Sequence, residues 1–279
     1  MKCSYLFILI TILWCSTVKS QDPIGLPQVT SYRGLDYGAG TQNWGIGQDR
    51  DGILYFANNE GLLTFNGTYW KLYPFPNKTI IRSVKIDKTG RIYIGAQDEI
   101  GYYYPNQNGV LTYKSLKSLI PKTDRQFADV WNIEITGDAV FFRTVNKIFQ
   151  LKHGKIDVYP TSLTWVFMGT VKNEVLAHEI NIGLKTLQDG KWIIRCNDPR
   201  IINSNITGTL PYNGDTIMLT TLKDGLFLLV GNQLIKKPTK LDRVFYNDRI
   251  NGAIQINPNL YAIGTTSSAL VIIDRKGII

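Results

Sequence analysis

The chain has 279 residues, 44% of them hydrophobic, and 31 basic against 22 acidic side chains give a formal charge of +9. The excess is spread along the chain without a basic run, which excludes the arginine-rich and aromatic–basic patterns of nucleic-acid binders. It describes a mildly basic surface.

Met1-Lys2 is a short positive start, Cys3 to Trp14 an apolar stretch too short to favour a stable span, and Val18-Lys19-Ser20 a small-residue cleavage signal. Residues 1–20 therefore read as a signal peptide, and the protein as exported. Cleavage removes Cys3 and Cys15, lowers the formal charge to +7 and leaves Cys196 as a single thiol, so stability must come from packing. Residues 21–42 form a lead-in strand region before the first repeat.

From Asn43 the pattern becomes strand, turn, strand. Trp44–Gln48, Ile53–Ala57 and Leu62–Phe65 are apolar strands cut by Asp49-Arg50-Asp51-Gly52 and Asn58-Asn59-Glu60-Gly61, and Tyr69–Leu72 is an outer fourth strand. From Gly52 to Gly90, 38 positions on, Asp87-Lys88-Thr89-Gly90 and Arg91-Ile92-Tyr93-Ile94 repeat the turn and second strand. Further copies carry second strands at Ala139–Phe142, Val175–Ala177, Thr216–Leu219 and Leu260–Ile263. The fold class is all-β: a β-propeller of four-stranded antiparallel blades, six of them within residues 43–279. The sequence stops at Ile278-Ile279, where blade six should begin its outer strand, so it reads as a truncated product or an excerpt.

The phrase Gln48-Asp49-x-x-Gly52-x-Leu54-Tyr55-Phe56-Ala57-Asn58-Asn59-x-Gly61-Leu62-Leu63, preceded by Gln42-Asn43-Trp44, resembles the opening periplasmic propeller of the Bacteroidetes two-component regulator propeller proteins. The resemblance covers the mature chain, strongest in the first two blades, and by it the six blades are an incomplete seven-bladed ring. It implies a membrane-anchored sensor of polysaccharide fragments with two seven-bladed propellers, a triple-tyrosine domain, a transmembrane helix and a histidine-kinase or LuxR-type output. Nothing in residues 21–279 matches those last three parts. By that resemblance the partners are an oligosaccharide or other small ligand, a second propeller and a homodimer partner, with no nucleic acid for this segment, the periplasm as location and a membrane only through the missing C-terminal part.

Catalytic chemistry is scarce. His153 and His178 lie in different blades, without metal-ligand spacing or a carboxylate cluster around them, so no cofactor and no metal are expected. His153 reads as a turn residue. His178 follows a second strand and reads as exposed. Asp49, Asp51 and Asp87 are turn acids. No nucleophile elbow or phosphate-binding loop appears, and no catalytic residue is assigned.

The loops entering each first strand and joining second to third strands converge on one face of a propeller. Trp44, Arg82, Trp131 and Trp165 fall at equivalent entry positions, and Asn58, Asn59, Arg143 and His178 fall in the second set of loops. Indoles beside cations and amides suit a sugar, whose apolar face stacks while its hydroxyls take directional hydrogen bonds. The same tryptophans would also serve as wedges between blades. A propeller glycan lyase or glycosidase, and a non-catalytic protein-interaction scaffold, are the competing functions.

Overall fold

Side chains of the chain's own turns set where each hairpin reverses. Asp49 Oδ1 accepts hydrogen bonds from the backbone N–H groups of Asp51 (3.0 Å) and Ile53 (2.9 Å), and Gly52 adopts φ 84°. Asp87 repeats this with Thr89 (2.7 Å) and Arg91 (3.0 Å), followed by Gly90 at φ 83°. An acidic or amide side chain that caps its own turn, next to a glycine free to take positive φ, fixes the reversal locally. The turn acids are structural.

The computed structural model describes residues 29–76, 78–267 and 270–277, so the expected signal peptide lies outside the described residues. Blade one is β1 (Asn43–Gln48), β2 (Leu54–Asn58), β3 (Gly61–Phe65) and β4 (Trp70–Pro74); blade two is β5 (Ile81–Ile86), β6 (Ile92–Ala96), β7 (Glu99–Pro105) and β8 (Leu111–Ser115). Blade three is β9 (Asn132–Thr136), β10 (Ala139–Arg143), β11 (Lys147–Lys152) and β12 (Lys155–Pro160), and blade four is β13 (Trp165–Val171), β14 (Glu174–Glu179), β15 (Gly183–Gln188) and β16 (Lys191–Cys196). Blade five is β17 (Ile206–Asn213), β18 (Thr216–Thr221), β19 (Gly225–Val230) and β20 (Gln233–Lys237); blade six is β21 (Ile250–Asn257), β22 (Leu260–Thr265) and β23 (Leu270–Asp274).

Each is an antiparallel meander in sequence order, and the described part of blade six has three strands with β23 at its edge. The fold is the six-bladed β-propeller that the repeats predict. Among the described residues helix is confined to α1 (Gly34–Tyr37), α2 (Pro199–Ile202), α3 (Asp242–Asp248) and two 3-10 turns. No strand occurs within residues 29–42; a single helical turn stands where a lead-in strand was expected, ended by Gly38 at φ 61°.

Five buried cores fill the five interfaces between consecutive blades. Ala57, Leu62 and Ile94 join blades one and two, Phe142 and Phe149 meet Tyr93 between two and three, and Trp165 and Met168 meet Phe141 between three and four. Leu176 and Leu219 join four and five, and Met218 and Tyr261 join five and six. Each fully buried side chain of this size contributes about 1.5–3 kcal/mol.

Near the axis the blades approach so closely that a Cβ on Gly47 would stand 2.4 Å from Ile86 Cδ1. Gly45 and Gly47 thus face blade two, and Ile46 between them faces away. Ile46 is 62% exposed, and Ile254, on the outward side of blade six, is 64% exposed. Leu270 and Ile272 share that outward face at 72% and 42%. The two end blades therefore present apolar faces of the kind that every internal interface buries.

Candidate functional site

A β-bulge places one unpaired residue at the entry of the innermost strands. Asn43 pairs with Asn58 and Gly45 with Ala57, which leaves Trp44 over; Ile81 pairs with Ala96 and Ser83 with Gly95, which leaves Arg82 over. Val166, Thr207 and Asn251 are left over in the same way in blades four, five and six. In blade three Asn132 pairs with Arg143, so Trp131 stands at the matching step. A bulge kinks its strand and re-aims the extra side chain, here towards the axial end of the propeller.

Three of these side chains meet. The Arg82 guanidinium carbon lies 4.1 Å from the ring centroid of Trp44 and 5.1 Å from that of Trp131, and the two indoles contact edge to face at 5.9 Å. Arg82 Nε donates to Asp129 Oδ1 at 3.1 Å, which fixes the plane of the cation. Trp44 Nε1 donates to Asn59 Oδ1 at 2.7 Å, and Asn59 Nδ2 donates to Gln42 Oε1 at 2.9 Å. Trp44 remains 41% exposed. The result is an aromatic surface backed by a cation and rimmed by amides and a carboxylate. Asp129 and Gln42 were missed from sequence; their only signal is that each lies two residues before an entry tryptophan, Trp131 and Trp44.

The other candidates occupy the scaffold around this cluster. Asn58 is fully buried and donates to Gly40 O (2.6 Å) and Asn43 Oδ1 (2.8 Å), tying the lead-in segment to blade one. Arg143 is buried, donates to Asn132 Oδ1 at 2.6 Å and to Trp165 O at 2.5 Å, and desolvation lowers its pKa to about 10. Trp165 pairs with Glu179, one step before the bulge, so it is not at the entry position of the other three. It is 2% exposed and packs on Trp192 at 5.5 Å between ring centroids.

His178 differs most from its expected exposure. Its cross-strand row with Phe167 and Leu184 turns the imidazole into the interface between blades four and five, where it is fully buried. The ring nitrogens face the backbone of Ile201 and Ile202 without a well-formed hydrogen bond, and burial lowers the pKa to about 4. Glu179 beside it is taken by Lys185 and Thr161. Below the mouth, Lys85 Nζ meets Glu134 Oε2 at 3.1 Å, and burial still holds that carboxyl above its ordinary value. His153 sits in its turn at φ 49°, 2.7 Å from Asp138.

Sizeable cavities also open at the opposite end, among the first-to-second-strand turns. One of about 640 Å³ lies between blades three and four against Lys172 and Arg195, and one of about 550 Å³ lies between blades two and three. Among the described residues no group of three or more His, Cys, Asp or Glu could hold a metal ion, and no helix is long and apolar enough to cross a membrane.

Neither a family model nor a curated protein matches the sequence. Solved structures do resemble the fold. Virginiamycin B lyase from Staphylococcus aureus, in a catalytically inactive form with Quinupristin, aligns with a TM-score of 0.61 at 15% identity over 86% of each chain. The extracellular domain of the putative one component system BT4673 from B. thetaiotaomicron aligns with a TM-score of 0.60 at 19% identity, over 82% of this chain and 32% of that one. At these identities the likeness is one of fold, shared by a lyase and by the extracellular domain of a putative one component system.

Proposed function

We propose that the chain is a ligand-sensing propeller of a membrane-anchored signal-transduction regulator, exported to the periplasm, and that it binds without catalysis. The observation that carries the reading is the convergence of Trp44, Arg82 and Trp131, from three separate blades, on one partly exposed aromatic and cationic surface. Stacking on an indole while amides and a carboxylate take hydroxyls is how an oligosaccharide is held. The resemblance in blades one and two and the fold shared with the BT4673 extracellular domain support a sensor. The proposed context includes a second propeller, a homodimer partner, and a histidine-kinase or LuxR-type output that switches polysaccharide-use genes.

A glycan array with this chain and with the full ectodomain tests the reading, scored for retention and for release of shorter products. Retention that Trp131→Ala abolishes at low and high salt supports it, since stacking is not screened by ions. Loss under Arg82→Ala is expected as well, because the cation orders both indoles. Release of shortened products would replace the sensor with a lyase. Binding that survives both substitutions would move the site elsewhere.

A further inference from the structure

The interface between blades two and three contains a built pocket far from the bulge cluster. Cross-strand pairing aligns Tyr93 on β6, Tyr102 on β7 and Lys114 on β8 in one row on the face that blade two turns to blade three. Tyr93 and Tyr102 pack at 5.7 Å with their rings tilted by 59°, and the Arg91 guanidinium lies 5.3 Å from the Tyr102 centroid. Burial holds the Tyr93 phenol above its ordinary pKa, so it stays neutral. The facing wall is the Val140–Leu151 pair of blade three, and Leu116 and Leu119 close the upper end. The space between measures about 550 Å³, inside the range of about 300–1,000 Å³ that small-ligand sites occupy.

This row is peculiar to blade two. The matching rows are Tyr55–Thr64–Lys71 in blade one, Phe141–Gln150–Asp157 in blade three, Leu176–Thr186–Ile193 in blade four and Met218–Leu228–Ile235 in blade five. Blade two alone among these five lays two aromatic rings beside one another and ends them with a cation. The charged groups lining the space are Arg91 and Lys114 against a single carboxylate, Asp138, and Asp87 acts on Arg91 from beside it. Asp138 is already engaged by Lys152 (3.4 Å) and His153 (2.7 Å). The cavity therefore pairs an aromatic and aliphatic floor with two cations, Arg91 and Lys114, at its rim.

We infer that this lateral pocket binds a small aromatic anion, its ring laid against Tyr93 and Tyr102 and its acidic group directed to Arg91 and Lys114. A flat body fills the space between the tyrosines and the Val140–Leu151 wall, where displaced water favours binding. The Arg91 guanidinium lies 5.3 Å from the Tyr102 centroid, and a planar cation suits the two oxygens of an acid group. The site is independent of the axial cluster, so the two can fail separately.

Fluorescence titration of this chain with anilinonaphthalene sulfonate, against neutral phenylnaphthylamine, tests the inference. One saturable site is expected, with the sulfonate bound about tenfold more tightly than the neutral probe at low salt, a difference that salt reduces. Lys114→Glu should erase that preference and leave the neutral probe unaffected. Leu119→Asp should weaken both. Both residues are exposed, and thermal melting of each variant shows that folding is intact. Binding that ignores charge, or that persists in both variants, overturns the inference. So does binding that Ile254→Asp abolishes, which would place the probe on the open face of blade six.

Discussion

Arg82 and Trp44, 38 positions apart and in different blades, stand with the guanidinium carbon 4.1 Å from the indole centroid. Two bulges in the same register make this contact, since each frees one side chain from the ladder at the same height. Arg82→Ala should lower stability by about 1–2 kcal/mol, the value of a partly buried cation–π contact together with the Asp129 it leaves unpaired. It should also flatten the near-ultraviolet circular dichroism of the tryptophans. Arg82→Lys should not restore the signal, because an ammonium lacks the planar, weakly hydrated face by which a guanidinium packs on aromatic rings. An unchanged spectrum in Arg82→Ala would mean that the contact is incidental.

Trp131 and Trp165 should separate cleanly in denaturant melts. Trp165 is a buried wedge between blades three and four, so Trp165→Ala should cost about 3–5 kcal/mol. Trp131 is half-buried at the mouth, so Trp131→Ala should cost less than half as much. Equal losses would make Trp131 a wedge too.

His178 predicts acid sensitivity. Its pKa is about 4 in the fold against 6.5 for a free imidazole, so the folded state favours the neutral ring. That stability is fully present above about pH 6.5 and is lost as pH falls towards about 4. The span amounts to about 3 kcal/mol at 1.36 kcal/mol per unit. His178→Leu should flatten the pH dependence of unfolding free energy between those limits. An identical slope in the variant would assign the effect to other groups.

The end faces predict self-association. Ile46 and Ile254 lie on unmatched faces, and apolar sheet surfaces with an open edge recruit other chains. A double Ile46→Lys, Ile254→Lys variant should stay monomeric at concentrations where the parent scatters light, with a stability change within about 0.5 kcal/mol. Persistent association would point to the β23 edge instead.

The repeat was legible because its marks are local. Asp49 and Asp87 cap their own turns, and each second strand is a short apolar run, so blade count and strand order follow from spacing alone. What escaped was less local. The first strand of blade five was not named from sequence: β17 contains Gly208 and Pro211, and Pro211 pairs with Ile217 while its carbonyl accepts from Tyr261 of the next blade at 3.0 Å. The burial of His178 and the one-step offset of Trp165 depend on cross-strand register, which a bulge shifts by one and which spacing cannot reveal. The lateral pocket joins residues on five strands and the turns between them in two blades, and no single stretch of sequence carries its outline.

The bulge step also separates what this propeller presents from what keeps it folded. Trp44, Arg82, Val166, Thr207 and Asn251 share a bulge place, and Trp131 stands at the matching step; they share no chemistry, while the pairs on either side of each bulge hold the ladder. A side chain without a ladder partner can be exchanged while the hydrogen-bond register stays as it was. Related chains could therefore diverge in recognition at six addressable positions around one axis, with the sheets beneath left unaltered.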